Sequence, residues 1–368
     1  MISVDNLLTV ILVIRDRPYY TFRWMDYANK THFPFKVLIA DGGKDLEVET
    51  RLKDRSSFPN LNYDYLRHPY DASIKDYLCK MSDALHQVQT PYVILADDDD
   101  FWNVDGIRAS IRFLEEHADY ATCRGRNFVF TQDLKHKNKT TYSPRSIVDT
   151  TQELASERVM ALYSHSIWTF YDVHRSLQYQ AIFKKVAELE FHFMPMIEIM
   201  VGLMDAANGK VKRLECSYLM REEGHGQSTS RSGSYLVRLL TGPCAEQLSA
   251  MCHAVAESVA AHESISVNDF SKQLQDTFIA QLAPVMSNHL YAYHDIPFSG
   301  VLQNLKTWLL SFFKKKYSAM AKLVQSFSQC LHARKAKKAY QQYLKNNPNQ
   351  DGIFKQINQF LSEEVPKK

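Results

Sequence analysis

Asp97, Asp98, Asp99 and Asp100 follow directly on the apolar run Tyr92-Val93-Ile94-Leu95. Like charges this close raise one another's pKa, so the run calls for neutralisation. A hard divalent cation shared with phosphate oxygens and water would supply it, and Mg²⁺ and Mn²⁺ both suit such ligands. The competing reading is a solvated helix start, since Asp is favoured by the dipole and cap of a helix beginning near Asn103. A second carboxylate, Glu198, stands in the apolar stretch Pro195-Met196-Ile197-Glu198-Ile199-Met200. Apolar surroundings raise a carboxyl pKa and make it a better proton acceptor. Asp172 and Glu190 are the alternative bases. His225, between Gly224 and Gly226, lies on a loop that can bring an imidazole to a phosphate or a metal, with Arg221 and Gln227 beside it.

These groups need a scaffold. Leu7 to Ile14, Phe35 to Ala40, Leu61 to Tyr65 and Tyr92 to Ala96 read as buried strands. Pro18 to Lys30, Ala72 to Gln87 and Asn103 to His117 have helical length and spacing between them. That alternation is the rhythm of a parallel α/β sheet, in which ligands bind beyond the carboxyl ends of the strands. Arg15 to Arg17, Asp41-Gly42-Gly43 and the aspartate run all fall at such ends. Further on, Tyr120 to Tyr142 is strand-like and then polar, with a basic loop over 135–139. A helix is expected over Thr151 to Tyr163, a strand over Ile167 to Val173, helices over Gln178 to Leu189 and Met196 to Ala207, and a strand over Val211 to Met220. Beyond Ser234 every long segment reads as helix. The expected division is residues 1–233 as the α/β domain and 234–368 as a helical C-terminal region.

Bulk composition is that of a globular chain: of 368 residues, 45% are hydrophobic and 23% charged, which argues against disorder. A net charge of +3 does not announce a nucleic-acid partner. The six cysteines include no CxxC pair, so a reducing compartment is expected and a zinc site is not. Leu7 to Ile14 lacks a basic flank and a cleavage site, and no window reaches the roughly 18 apolar residues of a membrane span, so a cytoplasmic chain is expected. The positive charge is uneven. Between Val301 and Lys345 there are ten Lys and Arg and no Asp or Glu, interleaved with Trp308, Leu309, Leu310, Phe312 and Phe313. Aromatic and aliphatic residues beside a one-signed basic face suit a helix lying on an anionic membrane surface, here the inner face.

The sequence resembles the GT-A fold glycosyltransferases, in particular the family 2-like group. Leu95-Ala96-Asp97-Asp98-Asp99-Asp100-Phe101-Trp102 is similar to that group's strand followed by D-x-D-D-x-W. Thr9 to Tyr20, ending Arg17-Pro18-Tyr19, looks like its opening strand and turn, and Asp41-Gly42-Gly43 falls where the family has an acidic residue after strand two. The resemblance implies a Rossmann-like nucleotide-sugar-binding domain, with Asp41 on the nucleobase and Asp97 near the ribose or sugar. It also implies Asp99 and Asp100 on Mn²⁺ or Mg²⁺, completed by His225. Arg17, Lys80 and Asp98 join the donor-binding set, Lys80 on the phosphate side of the third helix. Glu198 takes the place of the base, and Trp168, Phe170, Tyr171 and His174 read as a sugar platform or as core packing.

The implied reaction moves a sugar from a nucleotide-sugar donor to a glycan, lipid-linked or protein acceptor, with inversion. A nucleotidyltransferase is the first rival, but Ile14-Arg15-Asp16-Arg17-Pro18 lacks the glycine-rich loop such enzymes carry after strand one. A non-catalytic adaptor holding anionic membrane through its tail is the second.

Overall fold

The computed structural model describes residues 3–133, 139–145, 148–164, 168–222, 243–293 and 334–363. Nine strands form one sheet: β1 (Leu8–Ile14), β2 (Lys36–Asp41), β3 (Tyr63–Arg67), β4 (Tyr92–Asp97), β5 (Phe101–Trp102), β6 (Tyr120–Asp133), β7 (Lys139–Pro144), β8 (Val173–Arg175) and β9 (Lys210–Glu222). Their order is β3-β2-β1-β4-β8-β6-β9-β5, with β7 added to β6. β1 to β4 run parallel, β8 is antiparallel to both β4 and β6, and β6 and β9 are parallel. This is an α/β, Rossmann-like arrangement, as expected from the sequence, extended by C-terminal helices.

The helices are α1 (Pro18–Lys30), α2 (Leu46–Lys53), α3 (Ile74–His86), α4 (Val104–Glu116), α5 (Ala155–Ser164), α6 (Ser176–Glu188), α7 (Met194–Asn208), α8 (Pro243–Ala260), α9 (Val267–Tyr293), α10 (334–346) and α11 (Asp351–Glu363). Their starts are written locally. Pro18 opens α1 at a position where its missing N–H is no loss. Ser73 and Asp76 form a reciprocal capping box on α3, and Asn103 caps α4.

Period-two alternation divides the core. Ile11, Val93 and Leu95 face α3, α5, α6 and α7, whereas Val10, Leu12, Ile94 and Ala96 face α1, α2 and α4. The C-terminal helices join these layers. Met251, Val255 and Val259 of α8 and Phe270, Leu274 and Phe278 of α9 lie in the first cluster, while Phe354, Ile357 and Phe360 of α11 pack on Phe101, Phe128 and Phe130. Gln350, between α10 and α11, accepts from Asn103 and from the Ser217 backbone at 3.3 and 3.0 Å, tying this return to the strand next to the aspartates. Among the described residues no helix is long and apolar enough to cross a membrane.

Three local expectations differ from the structure. The helix expected from Thr151 starts at Ala155, and α2 was not anticipated in the Asp45–Asp54 stretch. The strand expected over Ile167 to Val173 is a turn through 168–172, and only Val173–Arg175 is extended as β8. The reason is polar: consecutive groups of this turn bond to buried side chains from other elements rather than to a neighbouring strand. The basic loop over 135–138, His225, Gln227 and the basic tail from Val301 to Ala333 lie outside the described residues.

Candidate functional site

Strand register gathers the polar ends. Val13 stands opposite Asp97 across β1 and β4, and Ile14 opposite Asp41 across β1 and β2, so the groups that follow these strands share one edge of the sheet. Asp97, Asp99 and Asp100 bring carboxylate oxygens within 4.8 Å of one another. The Tyr171 hydroxyl donates to Asp97 at 2.5 Å, and the Glu222 backbone N–H donates to Asp100 at 3.2 Å. The other Asp100 oxygen is buried and faces the Arg221 Nε at 3.3 Å. Burial, reinforced by neighbouring carboxylates, raises the pKa of Asp97 and carries that of Asp100 well above the usual range. Three carboxylates gathered this closely are a donor set that a hard divalent cation fits. The set differs from the sequence expectation in including Asp97, which had been assigned to the ribose or sugar.

The chain also supplies cations of its own: Arg17 and Arg221, expected from the sequence near the donor phosphates, pair with the aspartates themselves. Arg17 lies 3.1 Å from Asp98 and 2.8 Å from Asp99. Arg221 lies 3.3 Å from Asp100 and 3.9 Å from Asp97. Two arginines thus offset part of the charge that the four aspartates would carry. Arg23 braces the arrangement from beneath, donating to the Asp99 carbonyl at 3.0 Å and pairing with Glu222 at 2.6 Å. Asp98 points inward: it is 2% exposed and accepts from the Thr21 hydroxyl of α1 at 3.0 Å. Its burial, only partly offset by Arg17, pushes its carboxyl up to about 7.

Glu198 sits in the first half of α7, half-buried. Burial raises its carboxyl to about 7, with Arg221 pulling it down and Asp97 pushing it up. These influences place it in the electrostatic environment of the aspartate cluster. Tyr77 of α3 and Tyr171 feel the same carboxylates, Asp97 and Glu198, and burial holds both phenols well above the usual range. The base candidate, the metal candidates and two tyrosines therefore lie within electrostatic reach of one another.

At the other end of the cleft Asp41 is 2% exposed and fully engaged. It accepts from the Gly43 N–H at 2.7 Å, and from the Tyr65 hydroxyl and Arg67 at 2.6 Å each. Lys80 is also 2% exposed and donates to Asp71 at 2.5 Å and to the Ile14 carbonyl at 3.2 Å. Its ammonium holds the end of β1 rather than standing open to a phosphate. Glycine is required here by crowding: a Cβ on Gly42 would come within 2.3 Å of the Asp71 carboxylate, and one on Gly43 within 2.8 Å of the Asp16 nitrogen. The loops after β1 and β2 consequently interlock.

Several candidates lie elsewhere. Asp172 is fully buried, 2.6 Å from Arg213 and 3.0 Å from Arg124, with Thr122 donating to it, so it cannot receive an acceptor's proton. Glu190 is on the surface, paired with Lys75. Phe170 and His174 are core residues, His174 stacked on Tyr179 at 3.9 Å. Of the aromatic set only Tyr171 reaches the cluster, while Trp168 is 43% exposed nearby in sequence. The residues missed were Thr21, Tyr65, Arg67, Asp71 and Tyr77. Had β3 been followed to Arg67, the rule that ligands gather after strand ends would have pointed to Arg67 and Asp71.

No protein-family model matches the chain, and no curated protein matches it. Solved structures do show similarity. The crystal structure of S. aureus TarS 1-349 is 12% identical, with a TM-score of 0.45 over 74% of this chain and 70% of that one. The same protein in complex with UDP-GlcNAc gives 12% and 0.47 over 74% and 71%, and in complex with UDP 12% and 0.44 over 74% and 70%. The likeness is one of chain path in outline, and UDP-GlcNAc and UDP are ligands of that protein.

Proposed function

We propose that this chain is a glycosyltransferase that transfers a sugar from a nucleotide-sugar donor to an acceptor hydroxyl with inversion, using Mn²⁺ or Mg²⁺. The observation that carries this reading is the pairing of a carboxyl poised near neutrality, Glu198, with a cluster of three carboxylates whose oxygens lie within 4.8 Å of one another. Two sites with opposed tasks, one accepting a proton and one holding positive charge, are what transfer from an activated diphosphate needs.

In this scheme the nucleotide lies along the ends of β1, β2 and β3, with its diphosphate directed to Asp97, Asp99 and Asp100. These three would hold the cation, which when bound supplies Lewis-acid stabilisation of the departing diphosphate. Arg17 and Arg221 add positive charge at the same place. Glu198 takes the proton from the acceptor hydroxyl, whose oxygen bonds to the anomeric carbon. The bond from that carbon to the diphosphate oxygen breaks, and the diphosphate leaves with the electron pair. Attack from the face opposite the leaving group inverts the centre. The acceptor is a glycan, a lipid-linked acceptor or a protein.

Glu198→Gln tests the assignment. It keeps the shape of the side chain but cannot take the proton, so turnover should fall at least about a hundredfold while donor affinity stays within about twofold. Turnover close to that of the unaltered protein would remove Glu198 from the role.

A further inference from the structure

Arg221 occupies a position that the proposed cation also needs. Its Nε is 3.3 Å from Asp100, its Nη2 is 3.9 Å from Asp97, and its guanidinium lies 4.7 Å over the Tyr171 ring. Tyr171 in turn donates to Asp97, so the arginine and the tyrosine close over the same carboxylate. We infer that Arg221 is a built-in counter-ion which keeps free divalent cations out of this cluster and yields its place only when the cation arrives together with a diphosphate. The inference rests on the metal-site reading above.

Three observations lead there. The guanidinium lies against Asp100 and Asp97 with the Tyr171 ring beneath it. An arginine keeps its charge in a protein, so a cation entering the cluster must displace a like charge. The side chain is nevertheless 38% exposed and stands at the end of β9, so it has an outward path. A diphosphate offers it an equivalent partner there, because guanidinium binds phosphate oxygens through paired, charge-assisted hydrogen bonds. Displacement by metal alone loses two ion pairs with no replacement, whereas displacement by metal with diphosphate replaces them. That difference is a coupling between the two ligands, and it is reciprocal.

The experiment is an electron paramagnetic resonance titration of Mn²⁺ into the whole chain, alone and with saturating uridine, guanosine, cytidine or adenosine 5′-diphosphate. It is run on the unaltered protein, on Arg221→Gln and on Arg221→Lys. The unaltered protein should bind Mn²⁺ weakly alone and at least about tenfold more tightly with the matching diphosphate, a coupling of about 1.4 kcal/mol. Arg221→Gln should bind Mn²⁺ alone at least about tenfold more tightly than the unaltered protein, and the coupling should shrink, with Arg221→Lys in between. Damage to the fold would weaken Mn²⁺ binding, so tightening cannot come from that source. If Arg221→Gln does not fold, Arg221→Lys carries the test. Equal or weaker binding of Mn²⁺ alone by a folded variant overturns the inference. Absence of Mn²⁺ binding in every arm, diphosphates included, removes the metal site itself and the inference with it.

Discussion

Asp99 is the aspartate that connects the two halves of the cluster, since it accepts from Arg17 while lying within reach of Asp97 and Asp100. Asp99→Ala should abolish divalent-dependent turnover yet change Tm by no more than about 3 °C, because its ion pair with Arg17 is partly solvated. Full turnover with unchanged metal dependence would contradict its place at the cation. Glu198 carries a pH prediction. A base must be ionised, and burial has raised this carboxyl to about 7, so kcat/KM should climb between about pH 6 and 8 and level off above. Glu198→Gln should flatten that limb, and a limb that persists in the variant would assign it to another group. The residue scale is also where the sequence was least explicit. The acidic run and Glu198 were visible as types in a pattern. That Asp98 turns inward to Thr21 and Lys80 to Asp71 was not, because which way a side chain points after a strand depends on neighbours distant in sequence.

At the scale of elements, the turn 168–172 explains how Tyr171 is held. Arg213 donates to the Trp168 carbonyl at 3.1 Å, Thr169 to Asp205 at 2.6 Å, Tyr179 to the Phe170 carbonyl at 3.1 Å, and Tyr218 to the Tyr171 carbonyl at 2.9 Å. Asp172 closes the set on Arg124 and Arg213. A fully buried ion network of this kind is costly to break from one side, by about 3–5 kcal/mol when a partner is removed. Asp172→Ala should therefore lower stability by that order in a denaturant titration and, where the protein is still folded, reduce turnover by loosening Tyr171 from Asp97. Loss of stability well under about 1 kcal/mol would mean the network is solvated. Apolar periodicity cannot reveal such a turn, since Ile167 to Val173 has the composition of a strand and the deciding contacts come from β6, β9 and α7.

For the whole molecule, the β-α alternation over the first 117 residues was legible, α2 apart, because β1, β2 and β4 are short apolar runs and α1, α3 and α4 each carry a cap or Pro start. The long-range pairing of β6 with β9, and the return of α11 onto Phe101, Phe128 and Phe130, were not, because nothing local encodes a contact between residues distant in sequence. The result is a sheet whose polar edge is fixed from both sides. α1 and α4 pack behind the aspartates, α7 brings Glu198, and β9 brings Arg221. On the proposed reading such an edge seats a nucleotide-linked substrate. That reading is tested most directly by incubating the purified chain with a panel of nucleotide sugars, with Mn²⁺, Mg²⁺ or chelator, and identifying the nucleotide released. The account predicts that one donor yields the nucleoside diphosphate, only with divalent cation and not in Asp99→Ala. Release of monophosphate or pyrophosphate, or no more diphosphate from any donor than Asp99→Ala produces, would contradict it.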